Sequence, residues 1–254
     1  MEKKFRPIVL SIAGFDPSGG AGTLTDIKTF ECIGVYGLSV ITALTLQSEK
    51  EFVDIQWRDI KKVTDEIHFL TQYYPINYAK IGILKDAEML KEIMNTLKKQ
   101  NIKIIWDTVL KSSTSKVFFE KNEISKIESV LKELYCITPN VNEALAITEL
   151  SNVWEAGKTL SQYTNVLIKG GHNEKEKGTD YLFEYNRPEP IKIIPQTHHA
   201  VYPKHGSGCV YSSALTAYLA SGHDLKTSAI KAKEYTENFL ASSNTLIGYH
   251  SNIL

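Results

Sequence analysis

The chain has 254 residues, of which 43% are hydrophobic and 23% charged, a balance typical of a globular protein with a sizeable core. Lysine plus arginine and aspartate plus glutamate both number 29, so the formal net charge is zero. This balance excludes a general electrostatic attraction to nucleic acid or to an anionic membrane, and it favours a small molecule held in a cleft as the partner.

Cysteine usage and the amino terminus indicate the compartment. Cys32, Cys136 and Cys209 are far apart in the sequence, which disfavours a disulfide framework or a structural zinc site and fits a reducing cytoplasm. The apolar run at residues 8–13 is too short for the apolar region of a signal peptide or for a membrane span. We therefore expect a cytoplasmic protein with no membrane partner.

Short β-branched segments alternate with longer amphipathic segments along the chain. In chain order, the sequence predicts a strand at 8–13, a helix at 23–33, a strand at 35–44, helix 59–73, strand 78–81, helix 87–99, strand 102–106, helix 124–134, strand 136–138, helix 141–147, strands 166–169, 180–185 and 191–196, and helices 208–220 and 225–244.

This alternation predicts an α/β fold with a mainly parallel sheet covered on both faces, and the late strands are expected to lie antiparallel at one edge. The sequence shows no linker or internal repeat, so we read residues 1–254 as a single domain. Ligands of such sheets bind outside the carboxyl ends of the strands. Each motif described below falls at that end.

The segment His205-Gly206-Ser207-Gly208-Cys209 directly precedes a predicted helix. Its glycines permit backbone conformations that aim successive amides at one point, and a helix amino terminus adds partial positive charge. The segment is therefore suited to hold a phosphate whose charge grows during transfer. Cys209 lies in the first helical turn, where the pKa of a thiol tends to fall. The alternative is a glycine turn with Cys209 as a small core residue.

A second glycine-rich loop, residues 14–22, links the first strand to the first helix. It lacks the lysine of a P-loop and the spacing of a dinucleotide-binding fingerprint, so a dehydrogenase is disfavoured. Asp26, one turn into the helix, is placed to bind a polar ligand. It fits equally well as a solvated carboxylate that stabilises the helix dipole.

Polar residues also follow several of the later strands. Asn140 stands at a predicted N-cap with Glu143 three residues later, the pattern of a capping box. Alternatively, this amide and carboxylate face a hydrated Mg²⁺, to which Asp107 at the end of another strand adds a second carboxylate. Lys169 closes a strand at the same edge, where it meets nucleotide phosphates or is simply solvated. Lys233, in the middle of a helix, has the pattern of a surface residue.

Adjacent His198 and His199 do not predict a metal site, because neighbouring residues on a strand face opposite ways.

Several blocks of the sequence resemble the hydroxymethylpyrimidine (phosphomethylpyrimidine) kinases of the ribokinase superfamily. They occur in the family's order and span nearly the whole chain. The blocks are 11–22, 26–30, 34–45, 80–84, 138–144, 169–172, 205–209 and 232–235.

The resemblance implies a ribokinase-like, three-layer α/β/α fold. It also implies transfer of the γ-phosphate of ATP to the hydroxymethyl group of 4-amino-5-hydroxymethyl-2-methylpyrimidine and, in bifunctional members, to the resulting monophosphate, in thiamine biosynthesis. Mg²⁺ is the implied ion. A homodimer is expected only because relatives often dimerise.

The resemblance also implies roles by position. The catalytic group comprises one lysine, Lys233, and the four residues of the anion hole: Gly206, Ser207, Gly208 and Cys209. The acceptor is contacted by Gly14, Asp26, Gln47 and Leu84. The nucleotide is bound by Lys169, Gly171 and Asn140, and the metal is held by Glu143 and Asp107.

Two alternatives stay open. Some bacterial pyridoxal kinases share this scaffold and its cysteine, and both acceptors are flat heteroaromatics bearing a hydroxymethyl group. Phe15 in place of the family's serine, and Leu84 in place of a common methionine, are departures around the acceptor. A non-catalytic nucleotide- or vitamer-binding protein is expected to lose the anion-hole glycines or the Asn-x-x-Glu pair, and neither is lost.

Overall fold

The computed structural model describes residues 6–111, 118–119, 126–172, 176, 178–187, 189–196 and 200–251. In chain order, the elements are β1 (Ile8–Phe15), α1 (Gly22–Ile33), β2 (Tyr36–Gln47), β3 (Phe52–Trp57), α2 (Ile60–Tyr73), β4 (Tyr78–Ile81), α3 (Ala87–Lys98), β5 (Lys103–Trp106), α4 (Glu128–Leu131), β6 (Cys136–Ile137), α5 (Val141–Thr148), α6 (Val153–Leu160), β7 (Asn165–Ile168), β8 (Asp180–Phe183), β9 (Ile191–Ile193), α7 (Ser207–Ala220) and α8 (Leu225–Ala241).

The described strands form one mixed sheet in the order β3-β2-β1-β4-β5-β6-β7-β8-β9. The six strands from β2 to β7 in that order run parallel, so their carboxyl ends meet at one edge. The predicted fold class is confirmed, including antiparallel β8 and β9. The opposite edge carries a further antiparallel strand, β3, that the sequence did not predict.

Alternate residues of the strands enter two different cores. In β5, Ile104 and Trp106 pack with α2, α3, α5 and α6, whereas Ile105 faces the opposite side with α7 and α8. Helix α1 joins this second side, where Phe30 packs with Ala217 of α7. The sheet is therefore covered by helices on both faces, as parallel sheets require. None of the helices in the described ranges is long and apolar enough to cross a membrane.

Helix starts differ in a way that bears on the site. Five helices begin with a side-chain cap from aspartate or asparagine: α2, α3, α5, α6 and α8. Helices α1 and α7, which follow the two glycine-rich loops, have Ala21 and Gly206 at their N-cap positions and no side-chain cap. Their first amides are therefore left for another acceptor.

Candidate active site

Residues that directly follow three neighbouring strands converge at the carboxyl edge of the sheet. Asp107, Thr138 and Lys169 come after β5, β6 and β7. Lys169 Nζ donates to Asp107 Oδ1 at 2.8 Å, and Thr138 Oγ1 donates to the same oxygen at 3.2 Å. The other oxygen, Oδ2, accepts from Ser212 Oγ of α7 at 3.0 Å. Asp107 is only 1% exposed, so a buried carboxylate with protein donors on both oxygens lies where the three strands end.

The predicted capping box at the start of α5 is present. Asn140 Oδ1 accepts from the Glu143 amide at 2.9 Å, and Glu143 Oε2 accepts from the Asn140 amide at 2.8 Å. The backbone also pairs Asn140 with Lys169 in a parallel bridge, which places the box beside the end of β7. Burial raises the pKa of Glu143 to about 7, opposed by the charge of Lys169. The cap and a metal-facing role are compatible, since only part of the carboxylate serves the cap.

The segment 205–208, which we call the anion-hole loop after its predicted role, delivers the amino terminus of α7 to the same place. Gly206 has a φ of +71°, and a Cβ on this residue would lie 2.0 Å from the carbonyl oxygen of Gly20. Glycine is therefore required there by both conformation and space. A Cβ on Gly208 would lie 3.4 Å from Lys169 Nζ. The helix terminus and the ammonium group of Lys169 thus lie side by side.

The expected fall in the pKa of the Cys209 thiol does not occur. Burial raises its pKa to about 11, and Lys80 and the Gly22 amide oppose this only in part. Asp107 and Asp26 add to the rise because a second negative charge nearby disfavours the thiolate. Cys209 is therefore a neutral thiol at neutral pH, because its first-turn position does not outweigh desolvation.

The segment 14–22, here called the acceptor loop, is organised by Asp16. Its carboxylate accepts from the Ser18 amide at 2.9 Å and the Ala21 amide at 2.8 Å. His205 Nε2 lies 2.8 Å from Oδ2 of the same carboxylate. Burial opposes ionisation of Asp16, but the bonds from His205 and Ser18 outweigh it and hold the pKa below its usual value.

Asp26 is neither solvated nor open to the loop. It is 0% exposed, and Lys80 Nζ bonds to both of its oxygens, at 2.8 and 2.9 Å. Ser11 Oγ donates to Oδ2 at 2.5 Å and Ser213 Oγ donates to Oδ1 at 2.6 Å. These four bonds occupy the lone-pair sites of the carboxylate. The expectation of a solvated first-turn carboxylate is wrong, because α1 packs this face on β1, β4 and α7.

The other predicted acceptor residues lie around the ends of β1, β2 and β4. Gln47 ends β2, and its amide nitrogen donates to Thr45 Oγ1 at 2.9 Å. A Cβ on Gly14 would lie 2.4 Å from Ile83 Cδ1, so β1 packs closely against the segment after β4. Leu84, next to Ile83, is 1% exposed. The structure thus brings Gly14, Gln47 and Leu84 to one edge, with Asp26 beneath it.

Lys233 is buried, contrary to its surface-like pattern. Its ammonium group donates to the Gly178 carbonyl and to Asp180 Oδ2, the latter at 3.1 Å, and forms an ion pair with Glu237 at 3.3 Å. Asp180 Oδ1 accepts from the Gly170 amide at 2.7 Å. The Asp180 side chain therefore connects Lys233 to the turn after β7. The same turn contains the exposed Gly171.

Sequence reasoning missed several polar residues of this region. Five come from segments that read as apolar or as plain turns: Ser11, Asp16, Lys80, Asp180 and Ser213. The signal that could have found the strand residues is a single polar side chain inside an otherwise apolar run, since such a group must find a partner when buried. His198 and His199 lie outside the described residues. Among described residues, no group of three His, Cys, Asp or Glu side chains is arranged to hold a metal ion.

Comparison with known proteins agrees with this geometry. The family profile of phosphomethylpyrimidine kinase matches residues 16–253. A hydroxymethylpyrimidine/phosphomethylpyrimidine kinase of Aquifex aeolicus is 34% identical over 252 residues, covering 94% of this chain and 96% of that protein. The crystal structure of a phosphomethylpyrimidine kinase from Clostridium difficile is 32% identical with a TM-score of 0.77, covering 91% of this chain and 98% of the other.

An ADP complex of Bacillus subtilis pyridoxal kinase is 25% identical with a TM-score of 0.81, and the match covers 98% of each chain. The resemblance stated from the sequence blocks is therefore confirmed at the level of family and fold. With a profile match over nearly its whole length, the chain belongs to the phosphomethylpyrimidine kinase family.

Proposed function

We propose that this protein transfers the γ-phosphoryl group of ATP to the hydroxymethyl group of 4-amino-5-hydroxymethyl-2-methylpyrimidine and then phosphorylates the monophosphate, as in thiamine biosynthesis. The observation that carries the proposal is the meeting of three features at one edge of the sheet. These are the uncapped amino terminus of α7, the ammonium group of Lys169, and the acceptor loop. Family membership supplies the substrate class.

The nucleotide is proposed to bind beside β6 and β7. Lys169 and the amides of Gly206 to Gly208 are suited to the phosphates, since both direct positive charge into the same space. Asn140, which pairs with Lys169 through the backbone, and Gly171, two residues after Lys169, are proposed to complete the nucleotide-binding side of the site. The related pyridoxal kinase with bound ADP supports an adenine nucleotide as co-substrate. Lys233 reaches phosphate only if its ammonium group gives up one of its bonds to Gly178, Asp180 or Glu237.

The described residues fit a hydrated Mg²⁺ better than a fully protein-ligated one. Mg²⁺ prefers oxygen ligands and usually keeps several waters, with one or two carboxylates and substrate phosphates. Glu143 and Asp107 supply oxygen ligands of this kind, but Asp107 is bonded on both oxygens by protein donors. We therefore propose that Glu143 and Asp107 hold the ion largely through water. When bound, the ion neutralises phosphate charge.

Catalysis by the chain itself is proposed to rest on positioning and on charge. The loose transition state of phosphoryl transfer spreads negative charge over the transferred group, and the α7 amides with Lys169 are aimed where that charge grows. The neutral Cys209 thiol is suited to hold the acceptor hydroxyl by a hydrogen bond. A pKa of about 11 makes it a poor base before substrates bind. Gly14, Gln47 and Leu84 are proposed to contact the ring, with Asp26 supporting the floor.

A pyridoxal-type acceptor is the second candidate. The Bacillus subtilis pyridoxal kinase matches this fold over nearly the whole of both chains, with a TM-score of 0.81. Phe15, a bulky residue where the family has serine, lies at the end of β1 and its carbonyl accepts from Thr45 Oγ1 at 2.9 Å. This position is at the acceptor loop, so it bears on the acceptor and leaves the nucleotide side unchanged.

The deciding experiment measures ADP release with ATP and Mg²⁺ on three acceptors: the hydroxymethylpyrimidine, its monophosphate and pyridoxal. We expect turnover on both pyrimidines and its loss in Cys209→Ala. Cys136→Ala is the matched control, because Cys136 is buried in β6 and points into the core below the site. Preference for pyridoxal would keep the kinase and replace the acceptor. Absence of turnover on any acceptor would contradict the proposal.

A further inference from the structure

The acceptor loop and the anion-hole loop touch at their backbones. A Cβ on Gly206 would lie 2.0 Å from the Gly20 carbonyl oxygen, and a Cβ on Gly20 would lie 2.6 Å from Cδ2 of His205. Neither position has room for a side chain. The two loops are 180 or more residues apart in the sequence and come from β1 and α7, so their relative position needs a specific contact.

Asp16 and His205 supply that contact. Both residues are buried, at 1% and 8% exposure, and His205 Nε2 lies 2.8 Å from Asp16 Oδ2. The same carboxylate accepts from the amides of Ser18 and Ala21. A single carboxylate therefore organises the turn of its own loop and bonds the imidazole of the other. Hydrogen bonds that involve a charged group are among the stronger ones in proteins.

His205 is in turn fixed from the opposite side. Its amide donates to the Leu246 carbonyl at 2.8 Å, and the neighbouring Lys204 donates through Nζ to the Ser243 carbonyl at 2.7 Å. The segment after α8 thus bonds the backbone of His205 and the side chain of Lys204. The imidazole that contacts Asp16 is therefore tied to a third part of the chain.

We propose that the Asp16–His205 contact sets the acceptor loop in register with the anion hole, which makes His205 a positioning residue for phosphoryl transfer. The inference deepens the proposed kinase function and rests on it for its kinetic part. The proposed role runs through the acceptor loop, since the His205 ring faces Asp16 and Gly20. Because the acceptor oxygen must lie in line with the transferred group, a misplacement of about 1 Å costs about 10²-fold in rate.

The structural part is tested by hydrogen exchange on ligand-free protein. His205→Leu removes the donor, His205→Gln retains an N–H group, and His223→Leu is the matched control at an exposed histidine beyond the opposite end of α7. We expect the amides of Ser18 and Ala21 to exchange about 10-fold faster in His205→Leu, as loss of a charge-assisted bond implies. Exchange should stay near wild type in the other two variants. Unchanged exchange in His205→Leu would overturn the inference.

The kinetic part uses the acceptor that the wild-type protein phosphorylates. We expect His205→Leu to lower kcat about 10²-fold while the Kd for ATP, measured without acceptor, is unchanged. His205→Gln should recover most of the rate. A loosened loop with full kcat would show that the contact does not position substrates. Should the wild-type protein phosphorylate no acceptor, the proposed function fails, and the exchange result still decides whether the loops are held by this pair.

Discussion

Lys169 Nζ lies 2.8 Å from Asp107 Oδ1, and the two residues stand at the ends of β7 and β5 with β6 between them. The Lys169 side chain is 16% exposed and Asp107 is 1% exposed, so the lysine is the outer member of the pair. The pair links the proposed nucleotide side of the site to its proposed metal side.

Substitution of Lys169 by methionine should lower kcat/KM for ATP by about 10²–10³-fold, the usual loss for one donor to a developing phosphate charge. The reason is that Lys169 is the cation beside the amides of the anion-hole loop. Steady-state kinetics at varied ATP measure this, with Lys98→Met as the control at an exposed lysine. Loss of less than about tenfold would remove Lys169 from the phosphate site.

Lys80 and Asp26 form a fully buried ion pair, each with 0% side-chain exposure. Lys80→Met should destabilise the fold by about 3–5 kcal/mol, because it leaves a buried carboxylate without its cation. Lys80→Met combined with Asp26→Asn should be less destabilised than Lys80→Met alone. Urea unfolding of the single and double variants measures this, and simple additivity of the two losses would contradict the pairing.

Gly206 and Gly222 both have positive φ, but only Gly206 is crowded. Gly222 has a φ of +91°, and no atom outside its chain neighbours lies within 4 Å of an added Cβ. Gly222→Ala should therefore destabilise the fold only by the cost of placing alanine in a left-handed backbone conformation, about 1–2 kcal/mol. Gly206→Ala should destabilise the fold by the same backbone cost and by about 1–3 kcal/mol more, because the added Cβ meets Gly20. Equal losses in thermal unfolding would show that the two loops do not touch.

A substitution at Gly208 should lower activity without lowering stability. Gly208 lies inside α7, is not among the glycines with positive φ, and an added Cβ has Lys169 Nζ as its nearest atom at 3.4 Å. Gly208→Ala should therefore keep or slightly raise stability, by up to about 1 kcal/mol, as alanine does in helices. The methyl group narrows the space for phosphate, so kcat/KM should fall about tenfold or more. Wild-type kinetics in this variant would place the phosphate elsewhere.

The burial of His250 predicts that the folded state loses stability in acid. His250 contacts Thr25 Oγ1 at 3.3 Å and Tyr235 OH at 3.1 Å, and burial, with a smaller effect of Lys28, lowers its pKa from 6.5 to about 4. The unfolded chain takes up this proton first, so stability is present above pH 6.5 and is lost as the pH falls toward 4. Discounted for partial exposure, the loss is about 1–2 kcal/mol by pH 5.

This pH dependence is measured by urea unfolding between pH 7.5 and pH 5. His250→Phe, which keeps the ring beside Phe239, should remove most of the slope, and His223→Phe should leave it in place. The same slope in wild type and His250→Phe would assign it to another group.

The central strands were predictable because burial on both faces makes them continuous apolar runs. β1 and β4 are nearly of this kind, each with one buried polar residue, Ser11 and Lys80, and β4 has the predicted bounds. β3 was not predicted because it lies at an edge, half exposed, with Asp54 and Gln56 between its apolar residues. α6 (Val153–Leu160) was also missed, since it is only two turns long and contains Gly157.

The site was predictable where topology alone determines position. Asp107 and Lys169 follow two parallel strands, β5 and β7, with only β6 between them, so their meeting required only the strand order. The contacts of Asp16 with His205 and of Asp26 with Lys80 join residues 189 and 54 positions apart, and no local pattern encodes them. The predicted direction of the shift in the Cys209 pKa was wrong, because the first-turn position can be read from the sequence and the burial of the thiol cannot.

The bond from Lys169 to Asp107 also bears on which anions the proposed phosphate site would favour. The fold holds the Asp107 carboxylate 2.8 Å from Lys169 Nζ, so the carboxylate cancels part of the attraction that the ammonium group exerts on an approaching anion. A single inorganic phosphate at Lys169 would therefore be held weakly, whereas the chain of phosphates in a nucleoside triphosphate would bond to the lysine and to the α7 amides together. In the proposed site the internal carboxylate would thus favour polyphosphate over simple anions.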